Sequence, residues 1–224
     1  MRKISSITCI IFGCGMFAFS DVIVSVVSNI PTDNVLIGNA TGTAGLGWRN
    51  NGTDPVREIG QSFLASMDTI MDSFSLKAGG GVGAGASGAG FSVTIYSNSV
   101  DTTLGTAIST QTGTYLTTSD GVSSGAWITF DLEDNINLYS GNYYTFTLTW
   151  DDPAVPAKNQ NFFHQNTGST FSEGRLWQNN GSSWAASGVA DFVFVVQAIP
   201  EPVSAGLLTI GGVALMFFRK RFKK

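Results

Sequence analysis

Ile128-Thr129-Phe130-Asp131-Leu132, the triplet Ser140-Gly141-Asn142, and Tyr144-Thr145-Phe146-Thr147-Leu148-Thr149-Trp150 together decide the fold class. In both flanking segments every second residue is large and apolar, and threonine or aspartate stands between. That period is a strand's, because successive side chains of a strand point to opposite faces. The Ser-Gly-Asn triplet is turn chemistry. The pair reads as antiparallel strands with one face on a core and the other toward water.

The same period extends outward. Phe91, Val93 and Ile95 alternate with Ser92 and Thr94; Phe74 and Leu76 alternate with Ser73, Ser75 and Lys77; Phe192, Phe194 and Val196 close the series. Ser119-Asp120-Gly121 and Asn179-Asn180-Gly181 supply further turns. Many short strands with glycine-rich turns predict an all-β protein, an antiparallel β-sandwich with the jelly roll as its favoured form. Two stretches read differently. Phe63, Met67, Ile70, Met71 and Phe74 also fit helical spacing, and residues 79–90, with seven glycines in twelve positions, read as a flexible connection.

A chain of 224 residues is one domain with tails. Charged residues make up 12% of it, about half the usual share of roughly 25%. Seven of the 12 basic residues lie at the ends, and residues 21–200 carry five basic against fifteen acidic side chains. So acidic a middle excludes nucleic acid as a partner, and basic ends around it have the layout of targeting segments.

Residues 1–20 have a basic start (Arg2, Lys3), an apolar run from Ile7 to Phe19, and small residues at Ala18 and Ser20. This is the layout of a secretory signal peptide cut before Asp21. Both cysteines, Cys9 and Cys14, fall inside it, so the mature chain has no disulfide, thiolate metal site or cysteine nucleophile. At the other end Pro200-Glu201-Pro202 precedes 16 uncharged residues, Val203 to Phe218, and then Arg219, Lys220, Arg221, Lys223 and Lys224. As a helix the apolar run spans about 24 Å, and the long basic side chains extend it toward the headgroups as a stop-transfer cluster. The basic cluster places that end in the cytoplasm and the domain outside.

Pro-Glu-Pro, a short apolar helix and a terminal basic cluster resemble the PEP-CTERM sorting signal of Gram-negative bacteria. In that family an exosortase, a membrane cysteine transpeptidase, recognises the tripeptide and processes the tail. The resemblance implies secretion across the inner membrane, transient anchoring through the C-terminal transmembrane helix, and delivery to the cell surface or extracellular matrix. From Glu58 to Ala198 the chain also resembles the extracellular choice-of-anchor domains. Gly60-Gln61-Ser62-Phe63, Phe91 to Ser97, Gly141-Asn142-Tyr143-Tyr144 and Asp191-Phe192-Val193-Phe194 carry that likeness. The division is then 1–20 signal peptide, 21–199 extracellular β-sandwich domain and 200–224 sorting and anchor segment.

Gly83-Ala84-Gly85-Ala86-Ser87-Gly88 matches the dinucleotide fingerprint in letters only, since a strand rather than a helix follows. His164 is the sole histidine and has no Gly-x-Ser-x-Gly nucleophile beside it, so it reads as a structural strand residue. Asp131, Glu133, Asp134, Asp151 and Asp152 leave two alternatives open. A glycosidase needs two carboxyls about 5–9 Å apart across a cleft. A structural calcium needs six to eight oxygens from carboxylates and loop carbonyls. No catalytic residue is assigned and no other cofactor is expected. Trp177, Asn179, Asn180 and Trp184 around a hairpin tip, with Trp48 elsewhere, are candidates for glycan binding: flat rings stack on sugars and amides bond their hydroxyls. The expectation is a non-catalytic secreted or matrix protein sorted by an exosortase. A carbohydrate-binding module for extracellular polysaccharide is the first alternative, and a carbohydrate-active enzyme the second.

Overall fold

The computed structural model describes residues 21–50, 57–151, 159–168, 171–188 and 190–199. The signal peptide, the sorting tripeptide, the C-terminal helix with its basic cluster, and Asp152 lie outside them. Among the described residues there is no helix long and apolar enough to cross a membrane.

Every element among them is a strand. In chain order these are β1 (Asp21–Val27), β2 (Val35–Asn39), β3 (Ala44–Asn50), β4 (Glu58–Leu64), β5 (Thr69–Lys77), β6 (Gly90–Asn98) and β7 (Thr106–Thr114). There follow β8 (Trp127–Leu138), β9 (Tyr143–Trp150), β10 (Asn159–Asn166), β11 (Leu176–Asn179), β12 (Trp184–Ala186), β13 (Asp191–Phe192) and β14 (Phe194–Ile199). Eleven of them form one sheet in the order β12-β11-β4-β9-β6-β7-β1-β8-β5-β14-β2, and β13-β10-β3 form a second.

The large sheet doubles over on its apolar face. Phe74 of β5 stacks on Phe146 of β9 with centroids 4.1 Å apart, and Phe91 of β6 meets Phe130 of β8 edge-on at 5.7 Å. Neither pair lies on adjacent strands, so the rings meet across the core of a sandwich-like body. The strand period explains why. Phe91, Val93 and Ile95 are buried on one face of β6, while Ser92 and Thr94 stand on the other.

β1 is the fold line. Asp21 and Val22 pair parallel with Thr112 and Gly113 of β7, and Ile23 to Val27 then pair antiparallel with β8. The sheet is therefore mixed, not purely antiparallel as the sequence predicts, and its strand order does not by itself single out the jelly roll. Gly113 permits the switch: a Cβ there would lie 2.6 Å from the Val22 carbonyl oxygen and 2.8 Å from the Phe91 ring.

The three-stranded sheet packs Trp48 of β3 against the doubled sheet. Trp48 stacks on Trp150 at 3.7 Å with planes 9° apart, and Phe91 and Tyr115 meet it edge-on at 5.9 and 5.4 Å. Away from this core, Trp127, Val193 and Val195 form a second buried cluster.

Two other expectations change. The helical spacing from Phe63 to Phe74 comes from β4, a turn and β5, in which Phe63, Met71 and Phe74 reach the core and Met67 is exposed. The glycine-rich stretch is a packed turn: Ala86 is fully buried, its N–H bonds the Gly83 carbonyl at 2.9 Å, and Gly88 N–H bonds the Leu116 carbonyl at 3.2 Å. β6 follows it directly, so no helix N-terminus is available to hold a pyrophosphate.

Candidate functional site

The amide-rich turn expected at residues 179–181 is present, with β11 and β12 as its arms. Trp177 faces Ala186 and Asn179 faces Trp184 across the pair, while β11 docks on β4 through Trp177 opposite Gly60. Gly181 N–H bonds the Asn179 side-chain oxygen at 3.0 Å, a local bond by which asparagine shapes a turn. The Asn179 amide also donates to Glu58 at 2.8 Å. Burial pushes the Glu58 carboxyl above the usual carboxylate range, against the lowering effect of its bonds from Asn179 and Thr149.

Beside the turn lies a shallow groove of about 360 Å³ lined by Gln178, Asn180, Ser182, Ser183 and Ser187 with two alanines. Amides and hydroxyls each donate and accept, so this wall suits a polyhydroxylated ligand without net charge. A second, smaller cleft adjoins it and shares Ser187.

The five expected glycan residues divide. Asn180 lines the groove and accepts from Arg57 at 3.4 Å, and Trp184 is partly buried on the same hairpin. Asn179 is engaged within the turn. Trp48 is 0% exposed and Trp177 2%, so neither ring presents a face to a sugar. Both sit where their large apolar surface is removed from water, the commoner fate of tryptophan in a strand.

Of the five acidic candidates, Asp131, Glu133, Asp134 and Asp151 lie among the described residues. Ser73 of β5 faces Asp131 and Met71 faces Ile136, so Leu132 to Asn135 bulge out of β8. Gln111 of β7 clips the bulge, donating to the Asp134 carbonyl at 2.8 Å and accepting from Asp134 N–H at 3.3 Å. Glu133 accepts from Asp21 N–H at 2.7 Å. Asp131 is exposed along the strand; partial desolvation of its carboxyl, then the nearby charge of Asp72, raises its pKa. Asp151 accepts from the Ser92 hydroxyl at the end of β6. Among the described residues, which do not include Asp152, no three carboxylate, imidazole or thiol groups gather at one point.

His164 lies on β10, and its Nδ1 is buried with no hydrogen-bond partner among the described residues. Burial pushes the Tyr115 phenol well above its usual range, and its oxygen accepts from Asn161 of β10 at 2.6 Å. Sequence reasoning missed the Gln111 clip and the buried Gln61, whose amide donates to Asp191 at 2.9 Å and accepts from Phe192 N–H at 2.9 Å. Gln61 is flanked by Ile59 and Phe63, which marks it as a polar residue on a buried strand, whereas Gln111 stands in the polar run of β7 and carries no such signal.

No family model matches the chain, and no curated protein matches it. Among solved structures the chain is similar to the cysteine protease and lectin-like domains of Cwp84, a surface layer associated protein of Clostridium difficile. The similarity has a TM-score of 0.39 and 11% identity, covering 70% of this chain and 36% of that one. The chain thus spans about a third of the length of the solved chain it matches.

Proposed function

We propose that the protein is a non-catalytic secreted β domain of the cell surface or extracellular matrix, delivered by an exosortase that acts on Pro200-Glu201-Pro202. The observation that carries the non-catalytic part is the state of the acids. Glu133 is engaged by a backbone N–H of the strand where the sheet folds, and Asp151 by a hydroxyl of the neighbouring strand. The delivery part is supported by the order of tripeptide, apolar run and basic cluster. Intact-mass and terminal-peptide spectrometry of the protein recovered from its host should give an N-terminus at Asp21 and a C-terminus lacking Arg219 to Lys224. A mature chain that still ends in those residues contradicts the processing.

The groove favours a second reading, carbohydrate binding. Its wall of amides and hydroxyls, with Trp184 on the same hairpin, is the surface a neutral extracellular polysaccharide would meet.

A further inference from the structure

The smaller cleft has a volume of about 130 Å³ and is lined by Asp101, Phe171, Gly174, Arg175, Ser187 and Asp191, among others. We propose that it is a binding subsite for one neutral pyranose ring, the terminal unit of a glycan whose next unit lies in the adjoining groove. This rests on the carbohydrate reading above and names the residues that would select the sugar.

Three observations carry it. First, the polar groups are fixed before any ligand arrives. Arg175 Nε donates to Asp101 at 2.5 Å, and the Arg175 backbone is tied to β4 by Ser62 N–H to its carbonyl and its own N–H to Ser62 Oγ, both 2.8 Å. Asp191 is 2% exposed and is held by the Gln61 amide at 2.9 Å. Groups already in place spare the ligand the ordering cost of binding.

Second, the charge selects. The one guanidinium in the wall is already paired with Asp101, so among the lining residues no unpaired cation is offered to phosphate, sulfate or uronate. The guanidinium has five N–H donors and the carboxylates only acceptors, so the Asp101–Arg175 pair presents both functions side by side, as two vicinal hydroxyls require. Arg175 already occupies Asp101, which argues against a metal ion there.

Third, the shape fits. Phe171 lines the cleft and is braced edge-on against Phe194 at 5.3 Å, so that wall is held in place. The volume lies below the roughly 300–1,000 Å³ of sites that engulf a drug-sized ligand, as suits a single ring. Ser187 is common to cleft and groove, so a chain can pass from one to the other.

The test uses the full chain, purified in a detergent without a sugar headgroup. It is titrated by calorimetry and NMR with the methyl glycosides of glucose, galactose and mannose and with glucuronate and galacturonate. The expected result is saturable binding of at least one methyl glycoside with Kd on the order of millimolar, since one ring has few atoms to contribute. The uronates should bind at least tenfold more weakly. Asp101→Asn, and Arg175→Lys, which keeps the charge but loses the planar fork, should each lose at least tenfold in affinity, with a melting temperature like that of the parent. Ile108→Ala, exposed on β7 and lining neither cleft nor groove, should stay within twofold. No binding of any methyl glycoside, or binding that survives both cleft variants, overturns the subsite. If polysaccharide still retards both cleft variants in a gel, the carbohydrate reading stands and the subsite falls; if polysaccharide does not retard the parent either, both fall.

Discussion

Replacing Trp48 by alanine should destabilise the domain by about 3–5 kcal/mol, the range for removing a large aromatic from a well-packed core. The indole is fully buried, stacked on Trp150 and met edge-on by Phe91 and Tyr115. Its loss would cost the transfer free energy of the ring, the cavity left behind, and ring contacts worth about 0.5–1.5 kcal/mol per aromatic pair. Trp48 is also one of the residues, with Leu46, Phe163 and Phe192, by which the three-stranded sheet joins the core of the doubled sheet, so neighbouring strands cannot readily collapse into the space. Domains have only about 5–15 kcal/mol of stability in total, so this change consumes a large share of it. Calorimetry should show a melting temperature lower by roughly 10 °C or more. The contrast is Trp184→Ala on the exposed hairpin, expected to cost under about 1 kcal/mol. Equal losses at both positions would mean that Trp48 is not the core residue described here.

Gly174→Ala should be the more selective lesion. A Cβ at this position would stand inside the van der Waals shell of the Ser62 carbonyl oxygen, which belongs to the backbone of β4 and cannot step aside as a side-chain end could. The segment must move away, and it carries both Arg175 backbone bonds to Ser62 as well as the Phe171 and Arg175 walls of the cleft. Forcing an extra methyl into a close-packed contact costs typically about 1–3 kcal/mol, and a backbone obstacle puts this case near the top of that range. Urea denaturation should show a lower midpoint with an unchanged slope. Gly188→Ala is the matched control on the same cleft: its Cβ would meet nothing within 4 Å, so a change within about 0.5 kcal/mol is expected. If the two alanines behave alike, the close approach of residue 174 to β4 is wrong.

The strands were legible because period two is a local property. Phe130 and Leu132, Phe146 and Leu148, and Phe91 and Val93 alternate with threonine, serine and aspartate, and the structure buries those apolar residues. What local pattern could not carry was pairing. β1 pairs in parallel with β7 and antiparallel with β8, and neither partner is close in sequence. The tryptophans show the same limit: Trp48 and Trp184 both stand among polar and glycine residues, yet one is sealed under a sheet and the other stays on a hairpin arm. The helix alternative for residues 63–74 arose because a turn of the right length put core residues of two strands at helical spacing.

The site was legible only in part. Asn179-Asn180-Gly181 marked the hairpin and hence the groove, because turn chemistry is local. The cleft gathers Asp101 from the connection between β6 and β7, Arg175 from just before β11, and Asp191 from β13. No spacing rule connects residues so far apart in the chain; β4 holds Arg175 through Ser62 and Asp191 through Gln61, and Arg175 pairs with Asp101. The acidic run at 131–134 was visible but uninformative, since its role is set by a bulge and by Gln111 on another strand.

The most direct measurement is affinity electrophoresis of the full chain, in detergent without a sugar headgroup, through gels with and without the host's extracellular polysaccharide. Retardation that weakens in Trp184→Ala and Asn180→Ala is the expected result, because both residues belong to the groove hairpin while the core stays intact. Mobility that is the same with and without polysaccharide contradicts the carbohydrate role of the groove.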